Sequence, residues 1–216
     1  MRLILGLMLL CWMLPVQAKL LDSPLTSKTR PELEQIGKRL AAQPLVRGKF
    51  QQVRNLRLLT TPLQSDGSFV LARGKGLIWQ QTEPFASLLT ISKTKMLQQI
   101  QGQAAMEMTA KENPMVFSFA RVFLSLFDGN LDTLSNNFDI FFEPANAEIS
   151  HWTLGLIPNQ SPLNKAIKLI RIRGDKQISG ITIDEAKGDK MQIRFTDIMA
   201  KPTPLNPTEE KQLAPE

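Results

Sequence analysis

The spacing of apolar positions divides the chain into segments of different period. After Arg2, an apolar run from Leu3 to Leu14 closes on Val16-Gln17-Ala18, a small-residue pattern that predicts a cleaved export signal over residues 1–18. The run falls short of the roughly 20 apolar residues of a membrane-spanning helix. Thr29-Arg30-Pro31-Glu32 reads as a capping box with an early proline and opens a helix to about Ala42. Its apolar stripe is Leu33, Ile36 and Leu40, with Glu34 and Lys38 as an i,i+4 pair on the wet side. Pro44 ends it.

From Leu45 the period becomes two, with Val46, Gly48, Phe50 and Gln52 on one face of a long strand. Asp66-Gly67 and Arg73-Gly74-Lys75-Gly76 carry turn residues at hairpin spacing, and further strands are predicted over 85–91 and 96–101. The first half is thus an antiparallel meander. It poses a question, because Phe69, Leu71, Leu77 and Trp79 share one parity while Val70, Ile78 and Leu88 share the other. A sheet wetted on one face does not need apolar side chains on both.

Pro114 then opens a segment, 115–127, that is apolar almost all round a helix and too short to cross a bilayer, so burial is predicted. Only Ser118, Arg121, Ser125 and Asp128 interrupt it. After a short helix at 131–138 the period of two returns over 138–143, 151–157, 166–173, 177–185 and 189–198. There Met191, Ile193 and Phe195 alternate cleanly with Gln192, Arg194 and Thr196. The tail, 201–216, holds Pro202, Pro204, Pro207 and Pro215 and reads as extended or disordered. Residues 19–200 form one domain of α+β class, mainly β.

Composition narrows the chemistry. The one cysteine, Cys11, lies inside the predicted signal, and Leu10 before it with Trp12-Met13-Leu14 after it does not fit a lipidation site. The exported chain therefore has no thiol for a disulfide or a zinc site. Lys and Arg total 26 against 20 Asp and Glu, a net charge of +6 that suits acidic partners or anionic head groups as well as plain solubility. Export argues against nucleic acid. His151 is the one histidine; no nucleophile elbow accompanies it, carboxylates show no calcium-loop spacing, and Gly74-x-Gly76 leads into a strand rather than a helix. No enzyme activity, metal or cofactor is expected. The surplus of apolar surface fits either a greasy cleft between a curved sheet and the 115–127 helix or a normally packed sandwich with no cavity.

A signal segment, an amphipathic helix, Phe50-Gln51-Gln52, Gly74-Lys75-Gly76-Leu77-Ile78-Trp79, Pro84-Phe85 and the strands "ISGITIDEAKGDKMQIRFTDI" follow one another in this order. This succession resembles the LolA-type periplasmic lipoprotein carriers. The resemblance implies a strongly curved antiparallel sheet, an incomplete β-barrel lidded by helices, whose hydrophobic interior holds acyl chains. It further implies a monomeric carrier of a lipoprotein or glycolipid, loaded by an inner-membrane release transporter and unloaded by an outer-membrane acceptor protein. The sequence departs from the family at the lid-latching arginine, where Thr82 or Glu83 stands, and in lacking a final Phe-rich strand.

On this reading the cavity is lined by Phe50, Phe69, Leu71, Leu77, Trp79, Phe85, Leu89 and Ile91 from the sheet and by Phe117, Phe119, Phe123 and Phe127 from the lid. Arg73 or Arg121 would replace the latch. The opposite strand face would pack on the N-terminal helix or neighbouring elements. Two other readings remain: a lipoprotein-sensing regulatory module of the same fold, and a hydrolase using His151.

Overall fold

The structure, a computed structural model, describes residues 20–92, 95–109, 124–125, 131–146, 150–200 and 204–213. The predicted signal, residues 1–18, lies outside these, as does nearly all of the 115–127 segment, of which Leu124 and Ser125 are helical.

Helix α1 (Arg30–Ala41) buries Leu33, Ile36 and Leu40 as its stripe predicts, with Pro31 in its first turn and Lys38 and Arg39 in its last. The capping box does not form. Thr29 makes no side-chain cap bond; instead the Thr26 N–H donates to the Thr29 hydroxyl at 3.1 Å, and the Thr29 N–H to the Thr26 hydroxyl at 3.3 Å. Glu34 pairs back to Arg30, at 3.1 Å, rather than with Lys38 as predicted.

Among the described residues eleven strands follow: β1 (Leu45–Asn55), β2 (Leu63–Ala72), β3 (Gly76–Glu83), β4 (Ser87–Ser92), β5 (Lys95–Ile100), β6 (Met106–Thr109), β7 (Phe138–Glu143), β8 (Trp152–Pro158), β9 (Ile167–Gly174), β10 (Ile178–Glu185) and β11 (Lys190–Met199). Helix α2 (Leu131–Asn137) precedes β7, α3 (Leu163–Ala166) precedes β9, and α4 (Pro207–Leu213) ends the described chain. All the strands join one antiparallel sheet in the order β6-β5-β4-β3-β2-β1-β11-β10-β9-β8-β7. It is a curved sheet that does not close. Two meanders therefore meet at a central seam, where Phe50 of β1 faces Phe195 of β11. At the β7 edge the N-terminal segment adds a short bridge: the Leu25 N–H donates to the Ile140 carbonyl and the Phe142 N–H to the Ser23 carbonyl, both at 2.9 Å.

Three details differ from the sequence reading. Asp66-Gly67 is not a turn but an irregularity inside β2, where pairing with β3 slips by one residue. Strand β6 and helix α3 were not foreseen. The proline-rich tail, read as extended or disordered, carries the ordered helix α4 with Leu213 and Glu209 buried.

This last helix answers the two-faced strand. One face, the inner, holds the main core: Phe50, Phe69, Leu71, Leu77 and Ile91 with Leu33, Ile36 and Leu40 of α1 and with Leu154, Ile172 and Ile183 of the far strands. The outer face of β1 to β4 carries a second cluster of Leu45, Ala72 and Ile78 with Leu213 of α4, flanked by Val70, Leu88 and Leu205. The N-terminal helix, offered above as cover for the outer face, belongs to the inner one. Helix α4 covers the outer face, against β3 and β4.

Candidate functional site

The inner face of β1 to β5, with β11 and the end of α1, forms an apolar trough. Its floor is built on the β1–β2 ladder, in which Gly48 pairs with Phe69 and Phe50 with Gly67. A Cβ on Gly48 would come within 2.7 Å of the Phe69 ring, and one on Gly67 within 2.7 Å of the Phe50 ring. Each phenylalanine thus lies flat across the glycine of the opposite strand, an arrangement that any side chain at either glycine would prevent. Trp79 stacks on Phe50 with ring centroids 3.7 Å apart, and Phe195 meets Phe69 edge-on at 5.2 Å. Edge-on aromatic pairs like Phe69 with Phe195 are stabilising beyond the area they bury.

Seven of the predicted sheet residues share this face. Phe50, Phe69, Leu71, Leu77 and Ile91 are buried in the main core, while Trp79 and Leu89 are half-buried and pack against it. Phe85 is the exception. It sits in the β3–β4 connection, 72% exposed, and does not contribute to the trough. Counting by twos from β4 fails there, because the strand starts only at Ser87. Phe117, Phe119, Phe123, Phe127 and Arg121 lie outside the described residues.

A cavity of about 60 Å³ opens from the trough, walled by Leu40, Val46, Leu71, Leu124, Phe195 and Ile198. Its rim is polar, with Gln43, Arg73, Lys75 and Gln177. Ligand sites for drug-sized molecules run to roughly 300 Å³ or more, so seating a whole acyl chain requires the trough walls to part. Trp79, Leu89 and Met108 on the sheet, and Leu124 and Ile198 at the cavity, are only half-buried.

Arg73 stands at this rim on the β2–β3 turn. Its Nη2 donates to the Leu40 carbonyl at 3.3 Å, and its N–H to the Pro44 carbonyl at 3.0 Å. The cation thus sits at the C-terminal end of α1, where the helix dipole favours it. In this conformation it ties α1 to the sheet.

Sequence reasoning missed Phe195, Val46 and Leu40 as trough residues. Each had the right parity or stripe, but their meeting depends on β1 pairing with β11, which no local pattern announces. It also missed Glu209. Here Asn206-Pro207-Thr208-Glu209 makes a working capping box: the Glu209 N–H donates to Asn206 Oδ1 at 2.9 Å, and the Asn206 N–H to Glu209 Oε2 at 2.8 Å. Arg47 grips the same carboxylate in a fork, Nε to Oε1 at 2.8 Å and Nη2 to Oε2 at 2.6 Å. The Arg47 guanidinium is the main cause that holds Glu209 below the usual carboxylate range; burial opposes it, and the Asn206 N–H adds to the lowering.

Among the described residues no group of three or more His, Asp, Glu or Cys side chains could hold a metal ion, and no helix is long and apolar enough to cross a membrane. His151 is half-buried just before β8, beside Trp152, whose indole N–H donates to the Asp175 carbonyl at 2.9 Å.

Residues 26–200 match the family model described as outer membrane lipoprotein carrier protein LolA-like. Comparison with curated proteins finds no match. Among solved structures the chain is similar to a LolA superfamily protein from Nitrosomonas europaea, at 7% identity over 86% of this chain and 97% of that one, TM-score 0.46. It is also similar to a DUF1329 family protein from Desulfovibrio piger, at 12% identity over 87% and 98%, TM-score 0.49. A third similar structure is the MucA/MucB complex of Pseudomonas aeruginosa, at 14% identity over 85% of this chain and 61% of that one, TM-score 0.37.

Proposed function

The chain belongs to the LolA-like outer-membrane lipoprotein carrier family, and from that premise we propose that it is a periplasmic carrier which takes up acyl chains of a lipoprotein or glycolipid in its trough and hands them on toward the outer membrane. The observation that carries this reading is the unclosed sheet with an apolar inner face running from β1 to β6, lined in part by side chains only half-buried. Each methylene moved from water into such a trough contributes about 0.8 kcal/mol, so a few acyl chains bind without directional chemistry. Release then requires the trough to close: whatever favours the arrangement with Arg73 on α1 expels the chain. An inner-membrane transporter and an outer-membrane acceptor are the partners this scheme requires.

The test is mass spectrometry of what co-purifies with the protein from the envelope of its own cells, together with titration of a fluorescent fatty acid. Leu89→Glu places a carboxylate on the half-buried wall, and should weaken fatty-acid binding by about tenfold or more, because a charge in an apolar site is strongly unfavourable. Circular dichroism checks that the variant is folded. Trp79 supplies a second readout, since widening the trough parts it from Phe50 and changes its emission. A protein that purifies empty and binds no fatty acid would sink the carrier reading and leave a regulatory binding module of the same fold.

A further inference from the structure

Among the described residues, eight large apolar side chains are exposed, and six of them lie at one end of the first meander. Leu58 and Leu59 belong to the β1–β2 connection and Leu63 opens β2, Phe85 belongs to the β3–β4 connection, and Ile100 and Met106 flank the β5–β6 connection. Exposure reaches 89% at Leu58 and 72% at Phe85. The register fixes their common end: Arg54 faces Leu63, Ser87 faces Ile100 and Gln98 faces Met106. With strands about 4.8 Å apart, β1 to β6 spans roughly 24 Å. The polar rim with Arg73 and Lys75 lies at the other end. Isolated apolar side chains on a surface need no explanation, but a grouping of this kind does.

Two further observations say what meets this rim. Leu63, Ile100 and Met106 share the inward parity of Phe69, Leu89 and Met108, so the apolar inner face runs out to solvent here. The connections 56–62, 84–86 and 101–105 contain no acidic residue, whereas Arg57 is exposed in the first. That connection abuts the β10–β11 turn, where the Arg57 N–H donates to Asp189 Oδ1 at 2.8 Å and exposed Lys187 stands beside it. Of the other acids nearby, Glu185 pairs with Arg54 and Glu107 with Lys95, while Asp66 and Glu83 face each other within the β2–β3 ladder.

We propose that this rim docks on a bilayer surface bearing anionic head groups, with Leu58, Leu59 and Phe85 entering the interfacial layer and Arg57 and Lys187 lying over phosphates. The apolar side chains stand on separate loop tips, which a fluid interface accommodates at any relative height, while a protein surface would need a matched pocket for each. Apolar insertion and cation attraction to anionic lipid act together in such peripheral binding. Docking in this pose sets the open end of the trough against the membrane. Its purpose rests on the carrier reading; its occurrence does not.

The test is flotation of the protein, with its N-terminus determined by mass, with vesicles of phosphatidylethanolamine and phosphatidylglycerol or of phosphatidylcholine alone. Wild type should float with the anionic vesicles, and the doubly substituted Leu58→Asp/Phe85→Asp protein should bind them about tenfold more weakly or worse. Arg57→Glu/Lys187→Glu should lose affinity for anionic vesicles only. All should keep the wild-type melting temperature and fatty-acid binding in solution. Wild type that stays unbound to anionic vesicles, or a Leu58→Asp/Phe85→Asp protein that floats as well as wild type, overturns the docking while fatty-acid binding judges the carrier reading separately. A protein that floats as expected but binds no fatty acid supports the docking and sinks the carrier.

Discussion

The two meanders bury their apolar faces in different ways. In the second, β7 to β10, the inner side chains are mostly aliphatic and fully enclosed: Leu156 is 0% exposed, Ile172 1% and Ile183 2%. Helices α1 and α2 lie over them, leaving a void of only about 20 Å³ among Leu33, Ile36, Leu134 and Leu154. Its outer face is wet and charged, with Arg171 and Lys190 both meeting Asp184. In the first meander the aromatic side chains stack on one another, Trp79 against both Phe50 and Phe69, and the wall is incomplete, with Trp79 and Leu89 half-buried. Its outer face is dry beneath α4. One half is enclosed on its inner face throughout, while the other leaves one wall half-buried and has its opposite face covered by α4.

That contrast can be broken at its firmest point first. Leu156→Ala removes a side chain with no room for neighbours to relax and should cost about 4 kcal/mol by denaturant unfolding. Fatty-acid affinity of the folded fraction should stay within about twofold, since the two sites are distant. A large loss of affinity would mean that the halves are not separable.

Glu209→Ala strikes the support behind the trough. It removes the Arg47 fork and the carboxylate's half of the capping box, leaving the Asn206 Oδ1 cap in place, and should cost about 2 kcal/mol, with faster hydrogen exchange in β3 and β4. An unchanged unfolding midpoint would show that α4 is not a support. Acidification should act on the same carboxylate in milder form. Because the folded-state pKa of Glu209 lies below its ordinary 4.5, its contribution is complete above that value and disappears as pH falls through the lowered one. In Glu209→Gln that acid-dependent part of the stability loss should be absent. The smallest effect belongs to Phe85→Ala, which should change stability by less than about 0.5 kcal/mol; a larger loss would put Phe85 back into the trough.

How much of this could be read in advance depended on the range of the interactions. That Phe69, Leu71, Leu77 and Trp79 share one face follows from a period of two within single strands, and it was legible; which of the two apolar faces turns inward was not. The partnership of Phe50 with Phe195 was not, since it joins residues far apart in the chain and leaves no local trace. Phe85 misled because a residue next to a strand continues its alternation on paper after the backbone has left the ladder. Helix α4 was hidden by its prolines. Yet Asn206, Pro207 and Glu209 occupy the three places where a helix start favours those residue types, so that signal was present and outweighed by composition.

The seam between β1 and β11 has a consequence for how the protein reaches its fold. Its pairs join residues 47–55 with 190–199, so the longest loop closure in the sheet falls at its centre. Each meander has mainly neighbour-to-neighbour pairings that form over short stretches of chain, and contacts between distant segments form more slowly. A chain emerging from its N-terminus therefore holds β1 as an unpaired edge until β11 arrives. Pulsed hydrogen-exchange labelling during refolding should find the β1 and β11 amides facing the seam protected last. Until then, Arg47, Lys49 and Arg54 are the charges on that open edge, the kind of side chains that discourage a strand from pairing with a stranger.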